Sequence, residues 1–475
     1  MAYRQGDRYQ MALFPQSIEE YVLPDAPVRA YDAFVEALDF NALGIDINAH
    51  KVGNSEYHPK SMLKLVVYGY SYGVKSSRKL ERETHHNVTF IWLMGGLKPD
   101  HKTIAEFRRT HKEALKNVLR QCVQLCIKLD LIAGNVLFVD GTKIRANAGR
   151  GKTHDKAWYE KHLSEIDQRI EQLLNECDAI DDQEQHLDSF VSMNKELAKA
   201  ETLKRTIQDV LEEFNQTDRA QLNQTDPDCA IMRSIQGSHA SYNVQQVVDD
   251  KNGLIVHAEA VSDSSDVNQF ARQIDQANQE LGEPCTTACG DAGYADTEEL
   301  KKIDAQSITV IVPSQRQALH EEEKPFSKSH FTYDKERDCY YCPVGYTLAP
   351  IGTDKTTGKR HYLITDKHVC LRCVHYGQCT AAKHGRKIVR LPNEESKQKL
   401  EAQYQEPTSQ EIYARRKTRV EHPFGHIKRN LKTDAFLLRG IPGVQAETSL
   451  LATCFNIARM ISILGVTGLI LKLST

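Results

Sequence analysis

The spacing of apolar residues divides the chain into stretches of different period. In HPKSMLKLVVYGYSYGV (58–74), Met62, Leu65, Val66 and Gly69 recur at three and four residues, which predicts a helix with Pro59 in its first turn. A second helix is predicted over 76–93, before Gly95-Gly96. A third runs from Asp100 or Thr103 to about Leu129, with Thr103 and Glu106 spaced as a capping box. Residues 1–130 therefore read as a helical domain. At 136–139 the text changes to Val-Leu-Phe-Val, a buried strand expected to end at Asp140. Helical spacing returns with Ile166, Ile170, Leu173, Leu174 and Cys177. It resumes after a polar break at 181–184 with Leu197, Leu203, Ile207, Val210 and Phe214. This predicts a helical hairpin inserted over 156–228.

Beyond it, two strands (241–250 and 254–262) flank the turn Lys251-Asn252-Gly253. A helix (266–281), a strand (285–291), a short helix (296–303) and a strand (308–313) follow. That succession predicts an α/β fold, a mixed sheet with helices on its faces, occupying 131–475. Residues 325–392 interrupt it with an aromatic-rich segment holding five of the twelve cysteines. A broken helix is expected over 409–432 and an apolar one over 446–471. The run MISILGVTGLIL (460–471) is too short to span a bilayer, and the N-terminus has no apolar signal core. A cytoplasmic protein without membrane contact is expected.

Charge refines this picture. The chain has 61 Lys+Arg and 64 Asp+Glu, but residues 161–228 alone carry 7 basic and 17 acidic groups. The remainder is net +7, so near-neutrality conceals a basic protein suited to a polyanionic partner. Lys75, Arg78, Lys79, Arg82, Arg108 and Arg109 on the N-terminal helices are candidate phosphate contacts.

Intracellular cysteines read as thiols or metal ligands rather than disulfides. Cys339-x2-Cys342 and Cys370-x2-Cys373, 27 residues apart, are two knuckles able to supply a structural Zn2+ with four thiolates in a small ribbon. Cys379 is a fifth candidate that can replace one of them. Asp140 and Asp291 each follow an apolar strand, and Glu421 lies in RRKTRVEHPFGHIKRNLK. Three such carboxylates, brought together, suit hard divalent cations and in-line phosphoryl displacement. Arg416, Arg419, Lys428 and Arg429 surround Glu421 as candidate DNA contacts, Lys428 seven residues on and so expected on the same helical face.

The segments FVDGTKIRANA (138–148), YNVQQVVDDKNGLIV (242–256), GDAGYAD (290–296) and RVEHPFGHIKRNL (419–431) resemble those of DDE-type bacterial insertion-sequence transposases. GLKPDHKTIAEFRR (96–109) is similar to their helical N-terminal domain. The resemblance implies a ribonuclease H-like catalytic domain in which Asp140, Asp291 and Glu421 bind Mg2+ or Mn2+. It also implies Lys428 on the transposon end, a homodimer on DNA and a bacterial, nucleoid-associated setting. The family's Tyr-x2-Arg-x3-Glu-x6-Lys pattern fits at Glu421 and Lys428, whereas Tyr413 and Arg416 are one residue out of register. The competing expectations are a non-catalytic zinc-containing DNA-binding protein or decayed transposase acting as a regulator, and an aspartyl-phosphate phosphohydrolase.

Overall fold

The computed structural model describes residues 17–47, 56–181, 187–234, 237–319 and 325–474. Residues 182–184 of the polar break expected at 181–184, and the side chains of Cys177 and Asp181, fall outside what is described. The first helices are α1 (Pro27–Glu36), α2 (Pro59–Ser71), α3 (Ser77–His86), α4 (Val88–Leu93), α5 (His101–Thr110) and α6 (Lys112–Lys128). The single helix expected over 76–93 is two. Asn87 leaves helical geometry (φ −105°, ψ 117°), and its side chain caps α4 by accepting the Thr89 N–H. The helix expected through Leu129 also divides, at His111, and its start is set by Asp100, which accepts the Thr103 N–H at 2.7 Å. Thr103 lies inside the helix.

Strand β1 (Val136–Arg145) is longer than its apolar run predicts, so Asp140 lies in mid-strand. The extension has a physical cause. All of Leu137–Arg145 pairs antiparallel with the long strand β5 (Gly237–Asp249), Asp140 opposite Gln246 and Arg145 opposite Ser241. Between them come β2 (Thr153–His154), α7 (Lys156–Asp181), α8 (Leu187–Gln216), β3 (Leu222–Asn223) and β4 (Ala230–Ser234). The helical hairpin α7–α8 thus forms as expected. Its own core contains Tyr159, Ile166, Ile207, Val210, Phe214 and Leu222, and the β2–β3 ladder closes its root. Strand β6 (Ile255–Val261) pairs with β5 beside β4. The chain continues through α9 (Phe270–Leu281), β7 (Thr287–Cys289), α10 (Thr297–Asp304), β8 (Thr309–Ile311) and α11 (Gln315–Ala318). Next are β9 (Thr332–Asp334), β10 (Cys339–Tyr341), β11 (Thr347–Thr353), β12 (Arg360–Ile364), α12 (Lys367–Leu371) and β13 (Lys387–Arg390). The last helices are α13 (Glu394–Gln405), α14 (Pro407–Gly425), α15 (Gly440–Leu464) and α16 (Val466–Leu473).

These elements form two compact units. One holds the described residues up to Asp266, Arg272–Cys285 and the described residues from Arg416 on. The other holds Val267–Ala271 and Thr286–Arg415. In the first unit, α15 is buried continuously from Gly443 to Ile457 and packs against α2, α6 and β6. Its N-terminal amides meet carboxylates: Asp226 accepts from Gly440 at 3.1 Å and Asp228 from Ile441 at 2.7 Å. Two of its buried amides serve the edge strand. Gln445 donates to the Ala258 carbonyl and accepts the Ala260 N–H; Asn456 does the same for Ile255. These bonds satisfy β6 where, among the described residues, no further strand pairs with it. The apolar stretch expected as one helix bends by 107° at Gly465 (φ +71°). Among the described residues, no single helix is long and apolar enough to cross a membrane.

In the second unit β7 and β8 are parallel, joined through α10. A five-stranded antiparallel sheet, β13-β12-β11-β10-β9, encloses Phe331, Tyr340, Leu348, Tyr362, Ile364 and Ile388.

Asn456 is wholly buried. Asn456→Ala strands both polar backbone groups of Ile255, at about 1–3 kcal/mol for each buried unsatisfied group. Urea unfolding is expected to show roughly 3 kcal/mol of lost stability, whereas a loss below about 1 kcal/mol would mean the edge is satisfied without the amide.

Candidate active site

Strand β1 alternates in side-chain direction, and its two faces do different work. Asp140 and Thr142 share one face, and α14 with the residues following it lies over them. Asp140 Oδ1 accepts the Gly141 N–H at 2.9 Å, and Oδ2 stands 3.5 Å from Arg416 Nη1, with side-chain exposures of 21% and 15%. Lys428 Nζ donates to Thr142 Oγ1 at 2.5 Å. Burial lowers the proton affinity of that ammonium from its ordinary value, with Asp434 opposing. Arg416 and Lys428 are therefore both docked on β1, two residues apart along the strand. Arg419 is half-buried against Asp250 at 3.1 Å, and Arg429 is exposed.

Glu421 does not follow Lys428 inward. Its side chain is 64% exposed, 4.0 Å from Lys417. The expectation of a shared face fails because Pro423 lies inside α14 and His426–Asn430 form a π-turn, whose wider winding shifts the register between the two residues. Arg416, given no firm role by its sequence register, is the residue brought to Asp140.

On the other face of β1, Asp266 Oδ1 accepts from Asn243 Nδ2 at 2.8 Å and Gln245 Nε2 at 2.7 Å, with Lys143 Nζ at 3.4 Å. Gly141 lies beneath this network; a Cβ there would meet Gln245 Nε2 at 2.4 Å and Asp266 Oδ1 at 2.7 Å. This cluster was missed from sequence, although the period-two placement of Gly141 and Lys143 was its available signal. A polar cleft of about 370 Å³ opens beside it, lined by Lys143, Arg145, Lys428, Ser234, Ser241 and Asp434 among others.

Asp291 belongs to the second unit. It follows β7 and caps the short turn Ala292–Tyr294, accepting the Gly293 N–H at 2.8 Å. Gly290 before it is packed against Phe270 and Tyr294.

Of the N-terminal candidates, Arg78, Lys79, Arg82 and Arg109 are exposed, Arg109 against Glu106. Arg108 is corrected: it is buried and donates to the Lys75 carbonyl at 2.7 Å and Tyr70 Oη at 3.4 Å, out of reach of DNA. Lys75 is buried likewise, donating to Thr433.

In the cysteine-rich sheet, Cys342, Cys370, Cys373 and Cys379 line one small cavity with His375. Burial, with the neighbouring thiols Cys370, Cys342 and Cys373, holds the Cys379 thiol above its usual range against the pull of Arg386. The Tyr346 N–H lies 3.3 Å from Cys342 Sγ, a knuckle-type contact. Cys339 is set apart; it is buried in β10 and does not line that cavity. Among the described residues, no three His, Cys, Asp or Glu side chains form a group arranged to hold a metal ion.

Comparison with known proteins identifies two transposase segments. Residues 16–110 match the transposase domain DUF772, and residues 341–461 match the transposase DDE domain. The second match contains Arg416, Glu421, Lys428 and the four clustered cysteines; Asp140 and Asp291 lie outside both. No curated protein and no solved structure matches. Together the two domains indicate a transposase, and they support a DDE-type insertion-sequence transposase.

Gly141→Ala is expected to cost about 1–3 kcal/mol of stability through overpacking, and Gln245→Ala to relieve part of that cost. A double-mutant cycle in urea checks the contact; strict additivity would remove Gly141 from the network.

Proposed function

We propose that the protein binds the ends of its own insertion sequence, cleaves them by metal-dependent hydrolysis and joins the 3′-hydroxyl ends to target DNA. The observation that carries this reading is the docking of α14 and the turn after it on β1. Two cations, Arg416 and Lys428, lie along the strand that bears Asp140, on the segment that bears Glu421. The catalytic domain is taken as ribonuclease H-like, with Asp140, Asp291 and Glu421 holding Mg2+ or Mn2+. Their chemistry suits such ions, since all three are carboxylates, and Arg416 compensates the charge of Asp140. When bound, the ions supply Lewis acidity to both oxygens of an in-line displacement at phosphorus.

The residues of the chain then have distinct tasks. Lys428, fixed by Thr142, offers its ammonium to a backbone phosphate next to the scissile one. Arg416 orients the Asp140 carboxylate. In cleavage a water oxygen bonds to phosphorus and the P–O3′ bond breaks, leaving a 3′-hydroxyl and a 5′-phosphate. In joining, that hydroxyl attacks a target phosphodiester and displaces a second 3′-oxygen, so no covalent enzyme intermediate forms. Arg78, Lys79, Arg82 and Arg109 in the helical 1–130 region, with Arg419 and Arg429, add phosphate contacts. A homodimer pairs the two ends.

Asp140→Asn, Asp291→Asn and Glu421→Gln are each expected to lower cleavage of labelled end DNA by at least about a thousandfold, roughly 4 kcal/mol in the barrier, with end binding retained. Full activity in any of the three would remove that residue from the triad.

We further infer a structural Zn2+ in the cysteine-rich sheet, held by Cys342, Cys370, Cys373 and Cys379. All four thiols line the same small cavity, and a set of four thiolates is the donor chemistry of a closed tetrahedral site. Elemental analysis is expected to find one zinc per chain, lost in Cys342→Ser and Cys370→Ser but kept in Cys339→Ser. Zinc loss in Cys339→Ser with retention in a Cys379 variant would reverse the assignment.

A further inference from the structure

The cysteine-rich segment concentrates positive charge. Residues 339–390 contain 9 Lys+Arg and only 2 Asp+Glu, net +7. With the acidic 161–228 segment also set aside, the rest of the chain has 45 basic and 45 acidic residues. The whole basic excess of this protein therefore resides in one 52-residue module.

Three of its nine cations are used internally. Arg386 donates to the carbonyls of Cys379 and Phe326, Arg390 lies over the Tyr333 ring and reaches Tyr340 Oη and Glu395, and Arg360 pairs with Asp338. The two acids are occupied as well. Asp354 accepts the N–H groups of Thr356 and Thr357, and Asp366 accepts that of His368 as the cap of α12. Lys355, Lys359, Lys367, Arg372, Lys383 and Lys387 are left exposed. Among the described residues none of these six enters an ion pair.

Topology sorts the six. Lys355 and Lys359 lie in the turn between β11 and β12. Lys387 is paired with Leu363, at the opposite end of the sheet, where the chain passes into α12. Lys367 opens α12 and Arg372 follows its last residue, and Lys383 is in the loop that returns from Cys379 to β13. A surface cleft of about 410 Å³ at this end is lined by Tyr346, Asp366, His368, Arg372 and Val374 among others.

We propose that the thiol end of this module is a second DNA-binding surface, in which Lys367, Arg372, Lys383 and Lys387 contact backbone phosphates. Exposed cations that outnumber the one acid among them, Asp366, give the field that draws a polyanion, and no base-edge reading is implied. The inference rests on the transposase reading only in taking DNA as the polyanion. It adds a surface built from residues other than those of the β1–α14 site.

The test uses the full-length protein and two labelled duplexes, one with the element's terminal sequence and one unrelated. Affinity is followed from about 50 to 200 mM salt. In Lys367→Ala/Arg372→Ala/Lys383→Ala/Lys387→Ala, binding is expected to weaken on both duplexes alike. The slope of log K against log salt becomes shallower by roughly 0.9 for each phosphate that is no longer neutralised. Because all four side chains are exposed, an unchanged circular dichroism spectrum separates a weakened surface from an unfolded chain. An unchanged slope in a variant of a DNA-binding wild type overturns the surface and leaves the transposase reading intact. A wild type that binds neither duplex overturns both. Weakened binding to polyglutamate with unchanged DNA binding would make the partner an acidic protein and overturn the proposal.

Discussion

The structure of the first unit depends on the burial of α15. This helix is apolar enough to lie inside the protein on every side, yet it carries Gln445, Glu447 and Asn456 into that interior. Burying such groups unpaired costs several kcal/mol, so each must find its partner for the helix to seat at all. Gln445 and Asn456 do so on the backbone of β6, and Glu447 on the N–H groups of Leu437 and Leu438. Apolar packing supplies the attraction, while the polar groups select a single depth and rotation. A sheet edge, the N-terminal helices and the segment before α15 are thereby fixed against one element.

That segment carries the chemistry. Residues 434–436 reach β1, where Phe436 donates to the Arg145 carbonyl and Arg145 to that of Asp434. The chain from Arg416 to Phe436 is thus pinned at Asp140, Thr142 and Arg145 before α15 begins. Arg416 and Lys428 are held by geometry that does not need DNA. The cost of ordering these long side chains is met during folding rather than at the moment a phosphate arrives.

Much of this was legible in the sequence. The helical hairpin was visible because its apolar spacing is regular, and the β5–β6 turn because Lys251-Asn252-Gly253 has turn composition. The mid-strand position of Asp140 was not, since the polar half of β1 has no apolar run to announce it and owes its strand form to pairing with β5. Glu421 and Lys428 appeared to share a face because a spacing of seven presumes an unbroken α-helix, and the π-turn cancels that premise. Arg108 looked like a surface cation; its burial is decided by the Lys75 carbonyl, a tertiary partner that no local pattern reveals. Among the cysteines, equal spacing made two knuckles look alike, whereas strand direction in β10 sends Cys339 away from Cys342.

The place of α15 in the chain has a consequence for the order in which the molecule is made. It follows every other element of its unit but α16, so the N-terminal helices and β6 emerge from synthesis with their apolar faces and strand edge uncovered. Contacts between α15 and α2 join residues separated by most of the chain, and such long closures form late. Until Gly440–Leu464 is translated, α14 and the turn after it lack the Phe455 ring that packs against His422 and His426. A chain cut short before that point would carry the aspartate without the frame that positions it, and would expose an edge prone to association. Emergence of α15 thus doubles as a step in assembling the site.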